Sequence, residues 1–307
     1  MTETGKALPD IPIVDAHQHF WDLTRNYYPW LCDEPPIPFR YGDYSAIRRN
    51  YLPEDLRRDS AGFNLRMTVH MEAEWDRATA PAETRWLETV NAATGLPTAC
   101  IGHAEFERDN IKDVLAAHAT SKLMRGIRQK PAAAASPAEA RRGAPGSMDD
   151  PAWRDGYALL EKHGLSYDLQ TPWWHLDAAA DLAADFRRTT IIINHTGLPS
   201  DRSSEGVAAW RAALDRVARQ GNVAIKISGL GRRGLPWTVE ANGPIIRDTI
   251  GIFGADRCMF ASNFPVDSLA GSYRDIFAGF FAAVADRSEA DQLKLFHDNA
   301  VRIYRLT

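Results

Sequence analysis

The sequence predicts a closed α/β barrel of eight strand–helix units, the (β/α)8 TIM barrel, and three observations carry that expectation. Short β-rich runs recur along the whole 307-residue chain, separated by segments of helical composition. No glycine-rich phosphate loop follows the first run, which disfavours an open doubly wound sheet. Polar residues gather where the runs end, and that is where such a barrel builds its site.

In order along the chain, strands are predicted near residues 12–17, 65–72, 98–103, 123–128, 165–170, 190–195, 222–228 and 257–262. The clearest are Thr190 to His195 and Asn222 to Ile227. These are apolar runs of the kind that a parallel strand covered on both faces requires. Helices are expected at 82–93, 109–117, 151–163, 177–187, 207–220 and 244–253, and alternation of the two types implies a parallel sheet. Residues 1–307 therefore read as a single barrel domain with two departures from the repeat. Residues 20–53, which carry Tyr27, Tyr28, Trp30, Tyr41 and Tyr44 among turn formers, read as a long aromatic loop after the first strand, on the catalytic face. Residues 130–150, rich in Ala, Pro and Gly, read as a loop insertion after the fourth strand, because alternation resumes directly beyond them.

Composition narrows the class of partner. With 45% hydrophobic and 25% charged residues the chain has material for a sizeable core. A formal charge of −4 gives no electrostatic reason to bind nucleic acid or anionic lipid, so a small-molecule substrate is expected. No motif specifies an oligomeric state. Cys32, Cys100 and Cys258 are odd in number and lack a Cys-x-x-Cys spacing, and they read as reduced thiols of a cytoplasmic protein. Met1 to Pro12 lacks a basic head followed by an apolar run, and no stretch approaches a membrane span. Neither export nor membrane insertion is expected.

The segment Ile13 to Phe20 says most about chemistry. His17 and His19 lie two apart, and on an extended strand that spacing points both imidazoles to one face. Such a pair is half of a metal site or a polar catalytic floor; the plain alternative is two ordinary histidines where a strand leaves the core. Other strand ends favour the functional reading: Glu72 after the second, Arg128 after the fourth, His195 after the sixth, Lys226 in the seventh, Asn263 and Asp267 after the eighth. Arg128 presents a fixed fork of donors suited to clamping a carboxylate or polarising a carbonyl, or to closing the barrel mouth in an ion pair. Lys226 interrupts an apolar strand, where an unpaired ammonium is costly, so it should face the pocket or an acid such as Asp267. Glu72 reads either as an anionic site group or as a surface carboxylate. Trp174, within Trp173-Trp174-His175, is a candidate for lining a substrate pocket, with loop packing as the alternative. The pair Arg232-Arg233 reads as solvated charge, with reach to an anionic substrate as its alternative.

Five ordered motifs together resemble a known family. Val14 to Asp22, Arg125 to Gln129, Asn194 to Pro199, Lys226 to Leu230 and Phe260 to Asp267 look like the amidohydrolase-2 branch of the amidohydrolase superfamily. The pattern is closest to its sugar-lactone and 2-pyrone-4,6-dicarboxylate lactonase group. The resemblance implies a (β/α)8 hydrolase in which His17, His19, His195 and the position of Asn263 surround the scissile carbonyl. It further implies that the three histidines could hold one divalent ion, zinc before others, with an open position for water. Some lactonases of this group are thought to act without metal, so a metal-free site is also compatible with the resemblance. One departure matters: where the family usually has Ser-Asp-Trp-Pro, this chain has Ser262-Asn263-Phe264-Pro265. An amide cannot accept a proton near neutral pH, so deprotonation would fall to His195 or Asp267 first, then to Glu72 or a metal-bound hydroxide. The expected activity is hydrolysis of a lactone or related cyclic ester, sugar-derived or carboxylated. A metal-dependent decarboxylase or other lyase of the same branch, and a barrel that only binds a small ligand, are the alternatives.

Overall fold

Residues 9–307 are described by the computed structural model; most of the stretch read for targeting signals lies outside the described residues. Eight strands form one sheet: β1 (Ile13–Gln18), β2 (Leu65–Met71), β3 (Ala99–Gly102), β4 (Met124–Ile127), β5 (Ser166–Leu169), β6 (Ile191–Ile193), β7 (Val223–Ile227) and β8 (Cys258–Phe260). They lie side by side in strict chain order, and each neighbouring pair is parallel. Just beyond β1 and β8 the first and last strands meet. His19 N donates to Phe264 O at 2.7 Å and Asn263 N to His17 O at 2.8 Å, while Asp15 accepts from Ser262 N at 2.9 Å and from Ser262 Oγ at 2.6 Å. The result is the (β/α)8 TIM barrel that the sequence predicts.

Two hydrophobic layers follow from the alternation of each strand. Val14, Val69, Ile101, Ile192 and Met259 face inward and form a core inside the barrel. Ile13, Ile127, Ile191, Ile193, Ile225 and Phe260 face outward and pack under the helices. β-Branched residues recur on both faces, as a sheet buried on both sides favours, with Ala and Met filling the rest of the inner layer. Tyr304 and Leu306 join the inner layer from the end of the chain.

All six predicted helices are present, at Pro81–Thr94, Ile111–Ala119, Pro151–Tyr157 with its continuation Leu159–Lys162, Leu176–Asp185, Ser204–Ala218 and Val239–Phe253. Sequence reasoning missed Pro53–Asp59, Tyr273–Ala283 and Asn299–Tyr304. For Tyr273–Ala283 a signal existed: Ser272 Oγ accepts from Asp275 N at 3.1 Å while Asp275 Oδ2 accepts from Ser272 N at 2.9 Å, a reciprocal cap.

Residues 20–53 are the long loop after β1, and they are packed from within. An antiparallel bridge between Trp21 and Tyr51 fastens the two ends. Trp30 stacks on Phe39 with ring centroids 5.6 Å apart, and its Nε1 donates to Ala73 O at 2.9 Å, tying the loop to the segment after β2. The stretch 130–150 is held against the loop after β5: Trp174 Nε1 donates to Ala134 O at 3.0 Å, and Ala134 N donates to His175 Nε2 at 2.9 Å. No helix among the described residues is long and apolar enough to cross a membrane.

Candidate active site

The strand ends place six of the singled-out residues around one opening. His17 lies one residue before the end of β1 and His19 follows the strand; Glu72 follows β2, Arg128 β4, His195 β6 and Asn263 β8. The His17 ring lies 4.6 Å from that of His195 and 5.1 Å from that of His19, centroid to centroid. A cavity of about 350 Å³ opens over the group, with His19, Arg128, Gln170, His195 and Asn263 in its walls and Trp30 of the long loop beside them.

Local backbone explains how His195 and Asn263 reach that opening. Both have left-handed φ, +54° and +56°, a conformation that His and Asn tolerate better than most residues. Thr196, β-branched, is left-handed too, at +53°, and that costs on the order of 1 kcal/mol or more. The turn is held by Trp210 Nε1, which donates to Thr196 O at 2.7 Å. His195 Nδ1 is in turn 2.9 Å from Ser228 Oγ. Gly229 closes in from behind: a Cβ there would lie 2.5 Å from His195 Nδ1, so only glycine lets the imidazole sit where it does.

Burial sets the charge state of the cluster. It pulls His17 well below the usual histidine range, helped by the Lys226 ammonium. It takes His19 down to about 3, helped by Arg128, and lowers His195 strongly with help from Arg40. All three imidazoles are therefore neutral at neutral pH, the form that can ligate a metal or accept a proton. Burial also pushes the Asp267 carboxyl up, only partly offset by Arg40, Asn263 and Tyr41.

The donor chemistry suits a divalent cation. Both ring nitrogens of His17 are buried without a hydrogen-bond partner, and an unpaired buried polar group costs about 1–3 kcal/mol. His19 Nδ1 is 2.8 Å from Met71 O, and once it donates there, Nε2 is left as a lone pair facing Asn263 Oδ1 at 3.3 Å. Two acceptors turned toward each other call for a cation or a donor. Among the described residues no three His, Cys, Asp or Glu side chains already converge on a single point.

Arg128 meets both of its readings. Its Nε donates to Glu72 Oε1 at 2.7 Å and its Nη1 to Gln170 Oε1 at 3.2 Å, while the side chain still lines the cavity. Glu72 is buried instead of surface-exposed. Burial raises its carboxyl, but Arg128 and Arg77 outweigh that and hold it well below the usual range.

Asp267 sits behind Asn263, outside the cavity wall. Its Oδ1 accepts from Asn263 Nδ2 at 2.6 Å and from the Tyr41 hydroxyl at 2.8 Å. Lys226 does not reach Asp267: it lies inside the barrel, 2.8 Å from Asp168 Oδ1 and 5.0 Å from the centre of the Tyr304 ring. Trp174 lines a neighbouring cavity together with Arg40 and Tyr41. Sequence reasoning missed Arg40, Tyr41 and Asp168. The first two approach only because the long loop folds back, and no local motif announces that. Asp168 stood in a predicted strand, where an acid alternating with apolar residues was a readable sign of an inward charge.

The chain belongs to the amidohydrolase family, whose pattern matches residues 14–306, and the parallel eight-stranded barrel with paired histidines at β1 and a third after β6 agrees with that class. It is 41% identical to the uncharacterised protein y4mH of Sinorhizobium fredii across 97% of this chain and all of that one. It is 28% identical to the L-fucono-1,5-lactonase of Burkholderia ambifaria, over 95% of each chain. Among solved structures, a Burkholderia multivorans amidohydrolase with bound zinc superposes with a TM-score of 0.77 at 24% identity, over 96% of this chain and 99% of that one.

Proposed function

We propose that the protein is a lactonase that opens a cyclic ester, sugar-derived or carboxylated, by adding water to the carbonyl carbon. The ring C–O bond breaks, the hydroxyl of water stays on the acyl carbon, and a proton passes to the departing ring oxygen. The observation that carries this reading is the pair of neutral imidazoles, His19 and His195, in the wall of a cavity that also holds the Arg128 cation. Similarity to an L-fucono-1,5-lactonase at 28% identity supports the same class.

Arg128 is placed to stabilise charge developing on the carbonyl oxygen, and Glu72 and Gln170 fix its orientation in advance. Asn263, its amide nitrogen engaged by Asp267, offers Oδ1 as an acceptor that orients the attacking water. In the metal-free site His195, which borders the cavity in the neutral form, takes the proton; as a ligand its free nitrogen would not be available for this. Asp267 acts through Asn263 instead of touching substrate. His17, His19 and His195 would hold a divalent ion, zinc before others, which when bound supplies Lewis acidity and a more acidic water.

Two measurements test the reading together. Incubation with sugar 1,5-lactones, L-fucono-1,5-lactone first, should release the open acid, and elemental analysis should find about one divalent ion per chain. A double His17→Ala, His19→Ala variant should lose both. No acid from any lactone, or carbon dioxide release from carboxylated aromatics in its place, would remove the proposal; full activity in metal-free protein would remove only the ion.

A further inference from the structure

A second cavity, of about 450 Å³, adjoins the first, and Arg40 lines both. Four guanidinium groups surround it: Arg40 from the long loop, Arg202 from the segment after β6, and Arg232 with Arg233 from the segment after β7. Arg40 is bound to Asp267 at 3.4 Å. No carboxylate is among the described residues that line this space. Arg202 Nε and Nη1 are buried with no hydrogen-bond partner, so these two nitrogens of a half-buried cation give up water and receive no partner in return. Burial and the neighbouring Arg232 bring the Arg202 pKa down to about 10, and the side chain still carries its charge at neutral pH.

Like charges assembled against the apolar walls of Trp174, Leu198 and Leu235 are costly in isolation, and an oxyanion offsets that cost by accepting from several forks at once. Position adds to the charge argument. Gly229 lines this cavity, and its missing Cβ is what lets His195 approach, so a ligand seated among the arginines lies next to the proposed reacting end.

We propose that the arginine-lined cavity binds an anionic end of the substrate, a carboxylate or phosphate group carried at a distance from the lactone carbonyl. The assignment of that end to a substrate rests on the lactonase reading; the anion site itself does not.

Calorimetric titration of the purified protein with malonate and with inorganic phosphate tests the site without turnover. Each anion should bind, and Arg202→Gln and Arg232→Gln should each weaken binding at least about tenfold. Arg232 is exposed, so its variant keeps the fold, and a matching melting temperature verifies this. Stronger binding of malonate assigns a carboxylate, and stronger binding of phosphate assigns a phosphate ester. With lactones in hand, the kcat/KM ratio of an acid-bearing to a neutral lactone should fall by a similar factor in both variants. Absence of oxyanion binding, or binding that neither variant changes, overturns the site. Variant-sensitive binding without hydrolysis of any lactone upholds the anion site and overturns the lactonase reading alone.

Discussion

Asn263 carries more of the site's geometry than a lost acid would suggest. Its Nδ2 is committed to Asp267 at 2.6 Å, which forces Oδ1 toward His19. An aspartate at 263 would set two carboxylates within hydrogen-bonding distance, able to coexist only by sharing a proton. Asn263→Asp should therefore lower lactone turnover. Asp267→Asn should lower it as well, by about tenfold to a hundredfold in kcat/KM, because a second amide no longer dictates which way the first one faces. Steady-state kinetics on both variants decides the matter: a gain in Asn263→Asp would mean that the site has lost its base and that Asp267 holds nothing in place. At this scale the sequence was a good guide where strand ends did the placing, as for His17, His19, Glu72, Arg128 and His195. For Lys226 it foresaw an acid but not which one: Asp168 sits two strands away in the sheet and is reached only across the closed interior.

Among the elements, the loop from 20 to 53 was readable as long, aromatic and on the catalytic face, since it interrupts an otherwise regular strand–helix rhythm. Its internal path was not readable, because aromatic stacking has no sequence period. Trp30 shows what that path does: it stacks on Phe39, meets Trp21 edge-on at 5.7 Å, bonds to Ala73 O and lines the cavity. Trp30→Ala should cost about 2–4 kcal/mol of stability and raise KM several-fold, with a smaller change in kcat. Thermal melting and initial rates on the same preparation check both parts. An unchanged KM would show that the loop merely covers the barrel. Of the helices missed after β8, Tyr273–Ala283 had a readable cap, but the strand count was already complete before it, so nothing in the repeat demanded more elements.

For the whole molecule, closure was legible because eight β-rich runs alternate with helices and no phosphate loop intervenes. The polar content of the interior was less so. Lys226, Asp168, Asn194 and Tyr304 form one buried network: Asp168 Oδ1 lies 2.8 Å from the Lys226 ammonium and accepts from Asn194 Nδ2 at 3.1 Å and the Tyr304 hydroxyl at 2.8 Å. Breaking it from one side leaves a buried charge without its partner. Lys226→Met should destabilise the fold by about 3–5 kcal/mol, and adding Asp168→Leu should recover most of that. Urea unfolding of the single and double variants measures the difference, and equal losses in both would show that the pair contributes packing and not compensation of charge. Tyr304 has a consequence for how the protein is made. The ribosome delivers every strand well before it delivers this phenol, so a nascent chain with all eight strands outside the exit tunnel still has a wet, incompletely sealed barrel. Final consolidation of the interior therefore has to wait for the helix that carries Tyr304.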